Sequence, residues 1–289
     1  MNKNATKPTF KRQRFLLAFI HQLGSGVSAT DLQKLVFLHT MKEGCGFYEF
    51  LPYKFGSYSF QLAEDVEILS RDGYLTIEGT RIKATGDSPH ENLFSIDNER
   101  GNNLIRKAYN AYPYYTINSE IIDRLHFSAE VSALLYSERQ KYCQTEQSLF
   151  TIGYEGKSIE TFINALIQNS VKMLCDVRKN PLSRKFGFSK SKLEHILRMV
   201  GIMYIHMPGL GIESEKRSAL ETAEDYEALF NDYSSTIPTI KPYLDEVYSL
   251  LCSNARIALM CYEKDAAMCH RHVIRDYIAN THNVRSEDL

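Results

Sequence analysis

The sequence predicts an α/β protein in which a three-layer, parallel-sheet C-terminal domain follows a winged-helix-like α+β N-terminal domain. From residue 149 onward, short apolar runs alternate with amphipathic segments, which is typical of parallel strands covered by helices on both faces. Upstream, three amphipathic segments precede a two-residue hairpin signal, which is the element order of a winged helix. A chain of 289 residues is long enough for two ordinary domains.

Composition indicates an ordinary globular protein. Hydrophobic residues make up 44% of the chain and charged residues 24%, and no apolar run reaches the roughly 18 residues of a membrane span. Because the first nine residues contain no signal-peptide core, we expect a cytoplasmic protein with no membrane partner, whose six cysteines are reduced thiols. The net charge of −1 gives no overall attraction to nucleic acid, so such binding would need a local basic patch.

The N-terminal domain is expected over residues 1–86. Its helices are predicted from apolar residues at helical spacing, with Gly24 and Gly44 as helix ends and Ser28 or Thr30 as an N-cap. A loop is expected at 50–59, and Glu78-Gly79 supplies the hairpin turn. The expected helices and hairpin strands are, in chain order, 10–23, 31–43, 60–71, 74–77 and 81–84.

The partner of this domain stays open between DNA and protein. In a winged helix the third helix enters the major groove, but here that helix carries Glu64, Asp65 and Glu67, which repel phosphate. Basic and acidic residues balance over residues 1–100. A local basic patch could come only from a few residues, namely Lys11, Arg12, Arg14, Arg81 and Lys83.

Two short motifs add a resemblance for this domain. Residues 52–59 (PYKFGSYS) and 69–75 (LSRDGYL) resemble the SocA-type (Panacea) antitoxin domain over about residues 30–80. The resemblance implies an interaction or regulatory module.

Residues 87–147 are expected to form a helical connector. A polar loop at 87–103 precedes predicted helices at 104–109, 119–127 and 128–141. Four tyrosines lie close to Pro113 in the sequence. They could stack on bases, although tyrosines gathered at a domain junction more often pack against each other. These tyrosines are Tyr109, Tyr112, Tyr114 and Tyr115.

The C-terminal domain is expected over residues 148–289, with four strands that alternate with helices. The expected strands are 150–153, 172–178, 203–206 and 256–261. The expected helices are 159–168, 190–200, 222–233, 241–252 and 269–280.

A family resemblance covers this domain, over about residues 148–289. The matching residues are 151–154 (TIGY), 176–178 (DVR), Pro181, 183–184 (SR), 204–208 (YIHMP), 210–211 (LG), 261–263 (CYE) and 269–271 (CHR). In these motifs the chain resembles the domain-of-unknown-function 488 family, and it departs from the pattern at Ile212, where the family has a second glycine. The family has no settled activity, so the resemblance implies the domain and leaves its function open.

Polar groups follow each predicted strand directly, so in a parallel sheet they would meet at one edge, where ligands bind. The groups are Tyr154, Glu155, Asp176, Arg178, His206, Cys261 and Glu263. Asp176 and Arg178 are either a buried ion pair or an acid/base carboxylate beside an anion-binding arginine. Ser183, Arg184 and Arg271 would extend the basic surface, which suits a phosphate-bearing ligand.

Thiol and metal chemistry are alternatives at the same edge. Cys261 could be a nucleophile activated by His206 or His270. These three residues with Cys269 could also hold a metal, but Cys-x7-Cys is not a recognised zinc spacing, so we assign no metal ligand. Buried structural cysteine is the third alternative. Glu155 beside Asp176 would give the carboxylate pair of a glycosidase.

These observations predict a two-domain enzyme that acts on a nucleotide or nucleic acid, with no cofactor identified. Asp176, Glu263 and Glu155 are the acid/base candidates, Cys261 with His206 the alternative reactive pair, and Tyr154, Arg178, Ser183, Arg184 and Arg271 the substrate-binding candidates. The N-terminal module would recruit DNA or a protein partner. By association alone, this domain order is also typical of bacterial anti-phage systems. The alternative is a non-enzymatic nucleotide-sensing regulator or a winged-helix DNA-binding protein.

Overall fold

The computed structural model describes residues 8–44, 46–86, 94–217 and 220–289. Its chain divides into two compact units, Met1–Lys141 and Tyr142–Leu289. No helix in these described ranges is long and apolar enough to cross a membrane.

The first unit contains three helices and a hairpin in the order that the sequence predicts. The helices are α1 (Lys11–Leu23), α2 (Ala29–Glu43) and α3 (Phe60–Arg71). The three strands of the small sheet are β1 (Val27–Ser28) and the hairpin strands β4 (Leu75–Glu78) and β5 (Arg81–Ala84). The sheet is antiparallel, in the order β1-β5-β4. The side-chain oxygens of Ser28 and Ser59 cap α2 and α3 by accepting from the backbone. This arrangement agrees with the predicted winged-helix-like class.

The segment predicted as a loop at 50–59 is instead a tight hairpin. Its strands are β2 (Leu51–Tyr53) and β3 (Gly56–Tyr58), paired antiparallel. Gly56 has φ of +86°, and a Cβ there would lie 2.5 Å from the ring of Tyr109. Only glycine therefore fits this turn.

One of the three acidic residues of α3 is not on its surface. Asp65 is fully buried, and its carboxylate accepts hydrogen bonds from Arg12 Nε (2.7 Å), Gln13 Nε2 (2.8 Å) and Tyr48 Oη (3.0 Å). The expectation that Asp65 repels phosphate is therefore wrong, because its charge is paired inside the unit. The same contact engages Arg12, one of the predicted basic-patch residues.

Residues 94–141 belong to the first unit. They form α4 (Gly101–Ala111), a short 3₁₀ helix at Pro113–Thr116, another at Asp123–Leu125, and α5 (Ala129–Gln140). The helix predicted at 119–127 is wrong, because only a single 3₁₀ turn forms there. Part of the predicted loop, residues 87–93, lies outside the described residues.

The tyrosines around Pro113 support the packing alternative. Tyr112 and Tyr115 place their rings 5.1 and 4.6 Å from the ring of Phe37, in edge-on contact. The hydroxyl of Tyr109 is hydrogen-bonded to Ser119 at 2.7 Å. These rings fill the core of the unit rather than presenting a stacking surface.

Lys34 on α2 gives this unit a pH-dependent stability. The residue is 2% exposed, and its ammonium donates to the carbonyl of Ser57 at 2.6 Å. Burial lowers the pKa of Lys34 to about 7, although Asp31 opposes the shift. A lysine in the unfolded chain titrates near 10.4, so between about pH 7 and 10.4 the unfolded chain binds more protons. The free energy of unfolding therefore rises with pH in this window.

We expect Lys34→Met to remove this pH dependence. Between about pH 7 and 10, the wild-type free energy of unfolding should rise relative to that of the variant by on the order of 1 kcal/mol per pH unit. Urea unfolding of both proteins at several pH values measures the difference, and groups that titrate in both cancel. A difference that stays constant with pH would contradict the buried, neutral lysine.

The second unit is built on a five-stranded parallel sheet, which confirms the predicted fold class. Its strands are β6 (Ser148–Gly153), β7 (Met173–Asp176), β8 (Met203–His206), β9 (Arg256–Cys261) and β10 (Ser286–Asp288), in the spatial order β10-β6-β9-β7-β8. Every residue of β6 and β9 is buried, so both faces at the centre of the sheet are covered. The fifth strand, β10, was not predicted.

Five α-helices accompany the sheet in the part of this unit that the structure describes. They are α6 (Ile159–Gln168), α7 (Lys190–Met199), α8 (Ala223–Ser235), α9 (Ile237–Asn254) and α10 (Arg271–His282). The last helix begins two residues later than predicted, because Cys269 has an extended backbone with φ of −144° and ψ of 134°. This difference leaves Cys269 in the loop that follows β9.

The strand order defines where a ligand crevice should lie. From β6 the chain crosses to β7 on the far side of β9, whereas from β9 it returns to β10 on the far side of β6. The connections thus leave the neighbouring strands β6 and β9 in opposite directions. In open α/β sheets such a switch point opens a crevice at the carboxyl ends of the two strands.

Candidate functional site

The strand-end residues predicted for the site do share the carboxyl edge of the parallel sheet. Glu155 follows β6, Arg178 follows β7, His206 ends β8, and Cys261 ends β9. The parallel register aligns these ends, with Gly153 opposite Cys261 and Asp176 opposite His206. What each side chain contacts there differs from residue to residue.

Asp176 and Arg178 form a bidentate ion pair. Arg178 Nε donates to Asp176 Oδ1 at 2.8 Å, and Nη2 donates to Oδ2 at 2.6 Å. The hydroxyl of Tyr204 also donates to Oδ2, at 2.7 Å. Burial lowers the pKa of Arg178, but the hydrogen bonds and charge of Asp176 outweigh it and hold the pKa above its ordinary value.

The surroundings of Arg178 complete a closed network. Its Nη1 donates to the carbonyl of Phe188 at 3.0 Å and to the hydroxyl of Tyr154 at 3.3 Å. Tyr154 is itself buried and stacks on Phe188 with 4.4 Å between ring centroids. The geometry therefore favours the ion-pair alternative for Asp176 and Arg178. The contacts described for Asp176, Arg178 and Tyr154 are all with other protein groups, and the predicted acid/base role of Asp176 and substrate-binding roles of Arg178 and Tyr154 stay predictions.

His206 faces this network rather than the cysteines. Its Nε2 lies 2.9 Å from the carbonyl oxygen of Arg178, and its Nδ1 lies 3.4 Å from the ammonium of Lys190. His206 contacts Arg178 and Lys190, so its position does not support the prediction that it activates Cys261. The histidine beside Cys261 is His270, which the sequence offered as the other candidate.

Cys261, Cys269 and His270 form a buried cluster in which their ligand-type atoms all lie within 4.8 Å of one another. The hydrogen bond from the Cys269 thiol lowers the pKa of Cys261 well below its ordinary value, with burial opposing and the charge of His270 assisting. Burial and the neighbouring Cys261 raise the pKa of Cys269. The two thiols therefore titrate as a coupled pair.

Arg271 connects segments of the protein and is not available to a ligand. It is buried, and its Nε donates to Thr151 Oγ1 at 3.1 Å. Its Nη1 and Nη2 donate to the carbonyls of Glu263 (2.7 Å) and Lys264 (3.1 Å). The anion-binding role predicted for Arg271 is therefore not favoured, because its guanidinium fastens the loop after β9 against β6.

An open cleft of about 750 Å³ lies at the carboxyl ends of β6 and β9, the two strands of the switch point. Its lining residues are Glu155, Arg217, Tyr226, Tyr262, Glu263, Lys264, Asp265 and Met268. Asp176 is not among them, so the predicted pairing of Glu155 with Asp176 is replaced by Glu155 and Glu263 in one cleft. The Oε2 of Glu155 accepts from the backbone N–H of Lys264 at 3.0 Å.

Glu263 is the most enclosed acid of the cleft. The residue is 8% exposed, and one carboxylate oxygen forms an ion pair with Arg217. The other oxygen, Oε2, is buried without a hydrogen-bond partner among the described residues. A buried carboxylate oxygen without a donor is costly, so Oε2 has acceptor capacity to spare.

Cations gather beside the cleft. Burial lowers the pKa of Lys157, and the charges of Arg271, Lys264 and Lys185 lower it further. The Nζ of Lys157 donates to the carbonyl of Gly153 at 3.1 Å, and that of Lys185 to Tyr154 at 3.2 Å. Like charges held this close create a positive potential at the end of β6.

Two further predicted residues lie on the loop after β7. Arg184 is exposed, and the Oγ of Ser183 accepts from the backbone N–H of Lys185 at 3.1 Å. Their roles in substrate binding stay predictions. Sequence reasoning missed Lys157, Lys264 and Arg217. Lys157 and Lys264 lie in the loops after β6 and β9 and could have been found by extending the strand-end rule into those loops, whereas Arg217 follows no strand.

The family model described as "Domain of unknown function DUF488" matches residues 158–278, which confirms the resemblance for the C-terminal half of the chain. The matched residues include the ion pair, the cysteine cluster and most of the cleft. No curated protein and no solved structure matches the chain. The resemblance of the N-terminal half to SocA-type domains stays a prediction.

Proposed function

We propose that the C-terminal unit is an enzyme that acts on a nucleotide or nucleic acid in the cleft between the ends of β6 and β9. The observation that carries the proposal is the meeting, at this switch point, of clustered lysines, an exposed tyrosine and a carboxylate with an unpartnered oxygen. In a nucleotide substrate, the phosphate would be bound by the lysines, the base by the tyrosine, and the reacting bond would lie beside the carboxylate.

The lysines would bind phosphate. Lys185 and Lys264 are each close enough to Lys157 for their charges to lower its pKa, and a bound anion would relieve that repulsion. Lys is a common ligand of phosphate as a point charge. These lysines replace Arg178 and Arg271 of the predicted set, whose guanidinium groups are occupied within the protein.

Tyr262 would bind the base. The residue is 46% exposed, and its ring stands edge-on to that of Tyr154 with 5.2 Å between centroids. This contact holds one side of Tyr262 while leaving a face accessible. Stacking of a base on such a ring is worth about 1–3 kcal/mol and tolerates any base.

Glu263 would be the general acid or base, with Glu155 as the second carboxylate of the cleft. A carboxylate enclosed by protein has the environment in which enzymes tune acids and bases for proton transfer. Two carboxylates beside phosphate-binding lysines suit hydrolysis, including cleavage at a glycosidic carbon. A role in anti-phage defence stays a prediction from domain order.

We expect Glu263→Gln to lower turnover by about 10²- to 10⁴-fold while binding is retained, because the amide keeps the shape of the side chain and cannot transfer the proton. Turnover and binding are measured on short single- and double-stranded DNA and RNA, with modified bases, and on free nucleotides. Glu194→Gln, the same change at an exposed position of α7, is the matched control and should behave as wild type.

Equal turnover by Glu263→Gln and Glu194→Gln would contradict the role of Glu263. Binding without turnover in all three proteins would favour the nucleotide-sensing regulator. If no nucleic acid or nucleotide binds at any salt concentration, the proposed ligand class is wrong.

For the N-terminal unit we infer a protein partner in preference to DNA. Glu64 and Glu67 remain on α3, the helix that a winged helix would place in the major groove. Arg12 is engaged by the buried Asp65, which removes one cation from the small basic patch. Salt-dependent binding of duplex DNA to the full chain would overturn this inference.

A further inference from the structure

The cysteine–histidine cluster brings together two segments of the chain. Cys261 is the last residue of β9, and Cys269 and His270 directly precede α10. All three residues are buried, and their Sγ and ring nitrogen atoms lie within 4.8 Å of one another. Three atoms so placed can contact a single central ion.

The hydrogen bond of His270 prepares one ring nitrogen to be a ligand. Its Nε2 lies 3.3 Å from the carbonyl oxygen of Val177. A carbonyl oxygen can only accept, so the proton of a neutral imidazole resides on Nε2 and Nδ1 carries the lone pair. Nδ1 faces the thiols, 3.8 Å from Cys269 Sγ. Histidines that bind metals characteristically donate their other N–H to such a carbonyl.

The apolar surroundings of the cluster favour an ion whose charge neutralises the two thiolates. Cys261 and Cys269 belong to an apolar core that also contains Tyr233, Met207 and Leu210. Two thiolates buried there would carry a charge of −2, whereas two thiolates with a neutral imidazole and a divalent cation sum to zero. Burying the neutral assembly is far less costly than burying the anions.

We propose that Cys261, Cys269 and His270 bind one Zn²⁺ ion. Sulfur and imidazole ligands suit zinc, which accepts this mixed donor set in tetrahedral sites. Binding releases the thiol protons to solvent, and no oxidation or reduction takes place. Three protein ligands leave one tetrahedral position for water or another exogenous ligand; His206, bonded to Arg178 and Lys190, does not take it.

The ion would fix the loop that lines the cleft. Residues 262–268 lie between the two cysteine ligands, and five of the cleft-lining residues are in this segment. Closing the loop at both ends would hold Tyr262 and Glu263 in place without a contact to either side chain. This consequence for catalysis rests on the proposed function, but the metal site does not.

Metal content tests the proposal directly. The full chain is purified under reducing conditions, exposed to Zn²⁺ and freed of unbound ion, and its zinc is measured by mass spectrometry. We expect about one ion per chain in wild type, as in mononuclear zinc sites. We expect a loss of at least about tenfold in Cys269→Ser, because mutation of even a second-shell partner costs about 10- to 100-fold in metal affinity. Cys252→Ser is the matched control, because Cys252 is exposed and outside the cluster, and it should bind as wild type does.

A second measurement needs no variant. Titration of the reduced wild-type protein with Co²⁺ should produce the intense thiolate-to-cobalt absorption band, saturating at about one equivalent. Wild type without zinc and without this band would overturn the proposal, as would full zinc content in Cys269→Ser. A Cys261–Cys269 disulfide that persists in reductant would also overturn it. None of these readouts uses a substrate, so failure of the metal site is distinguishable from failure of the proposed enzyme.

Discussion

Asp176→Ala is expected to destabilise the C-terminal unit by about 3–5 kcal/mol, the range for removing one partner of a buried ion pair. The change leaves the guanidinium of Arg178 buried without a carboxylate, and it leaves the hydroxyl of Tyr204 without its acceptor. Asp176 is fully buried, so water cannot take the place of the lost oxygens without opening the structure.

Urea unfolding of the full chain measures this effect, and Asp245→Ala is its control. Asp245 pairs with Lys241 one helical turn away on the exposed side of α9, and such pairs contribute about 0.3–0.5 kcal/mol. If the two variants unfold at the same urea concentration, the ion pair of Asp176 is not the structural element inferred above. A loss of turnover in Asp176→Ala alone would therefore not identify a catalytic acid.

Gly153→Ala is expected to destabilise the protein by more than about 4 kcal/mol, which is exceptional for a single substitution. A Cβ at position 153 would overlap the carbonyl oxygen of Glu263 and lie 2.6 Å from its carbonyl carbon. The same carbonyl accepts from the buried Arg271. Because both neighbours are fixed, the strand or the loop after β9 must move.

Thermal unfolding and the yield of soluble protein report the effect of this substitution. Gly156→Ala is the comparison in the same segment: its φ is +74° and no atom lies near the added Cβ. The cost there is backbone strain alone, about 1–2 kcal/mol. Similar stabilities of the two alanine variants would mean that the loop after β9 does not press on Gly153.

The fold could be predicted largely because its strands are continuous apolar runs. β6 and β9 are buried at every residue, and such runs are recognisable from sequence. β10 was missed because Ser286–Asp288 is polar; its place in the sheet depends on pairing with β6 and on the contact of Asp288 with Thr151. The hairpin at β2 and β3 was missed because Pro52 and Gly56 are typical of loops.

The location of the site was predictable, but the partners of its side chains were not. Parallel strands bring their carboxyl ends together, so residues that follow strands were expected at one edge. Whether a carboxylate there is occupied depends on residues far along the chain: Tyr204 reaches Asp176 and Arg217 reaches Glu263. For the same reason the sequence did not choose between His206 and His270 as the neighbour of Cys261.

The position of β9 also determines when the C-terminal unit can fold. β9 lies between β6 and β7, although both precede it by a long stretch of chain, and Arg256 bonds Glu146 across a separation of 110 residues. Contacts of such high order make folding slow. During synthesis β6 and β7 cannot complete their pairing until residues 256–261 have been made, because β9 is the strand that lies between them. Until then the edges of both strands are unpaired. Because unpaired strand edges promote aggregation, we expect the unit to be most prone to aggregation before β9 is available.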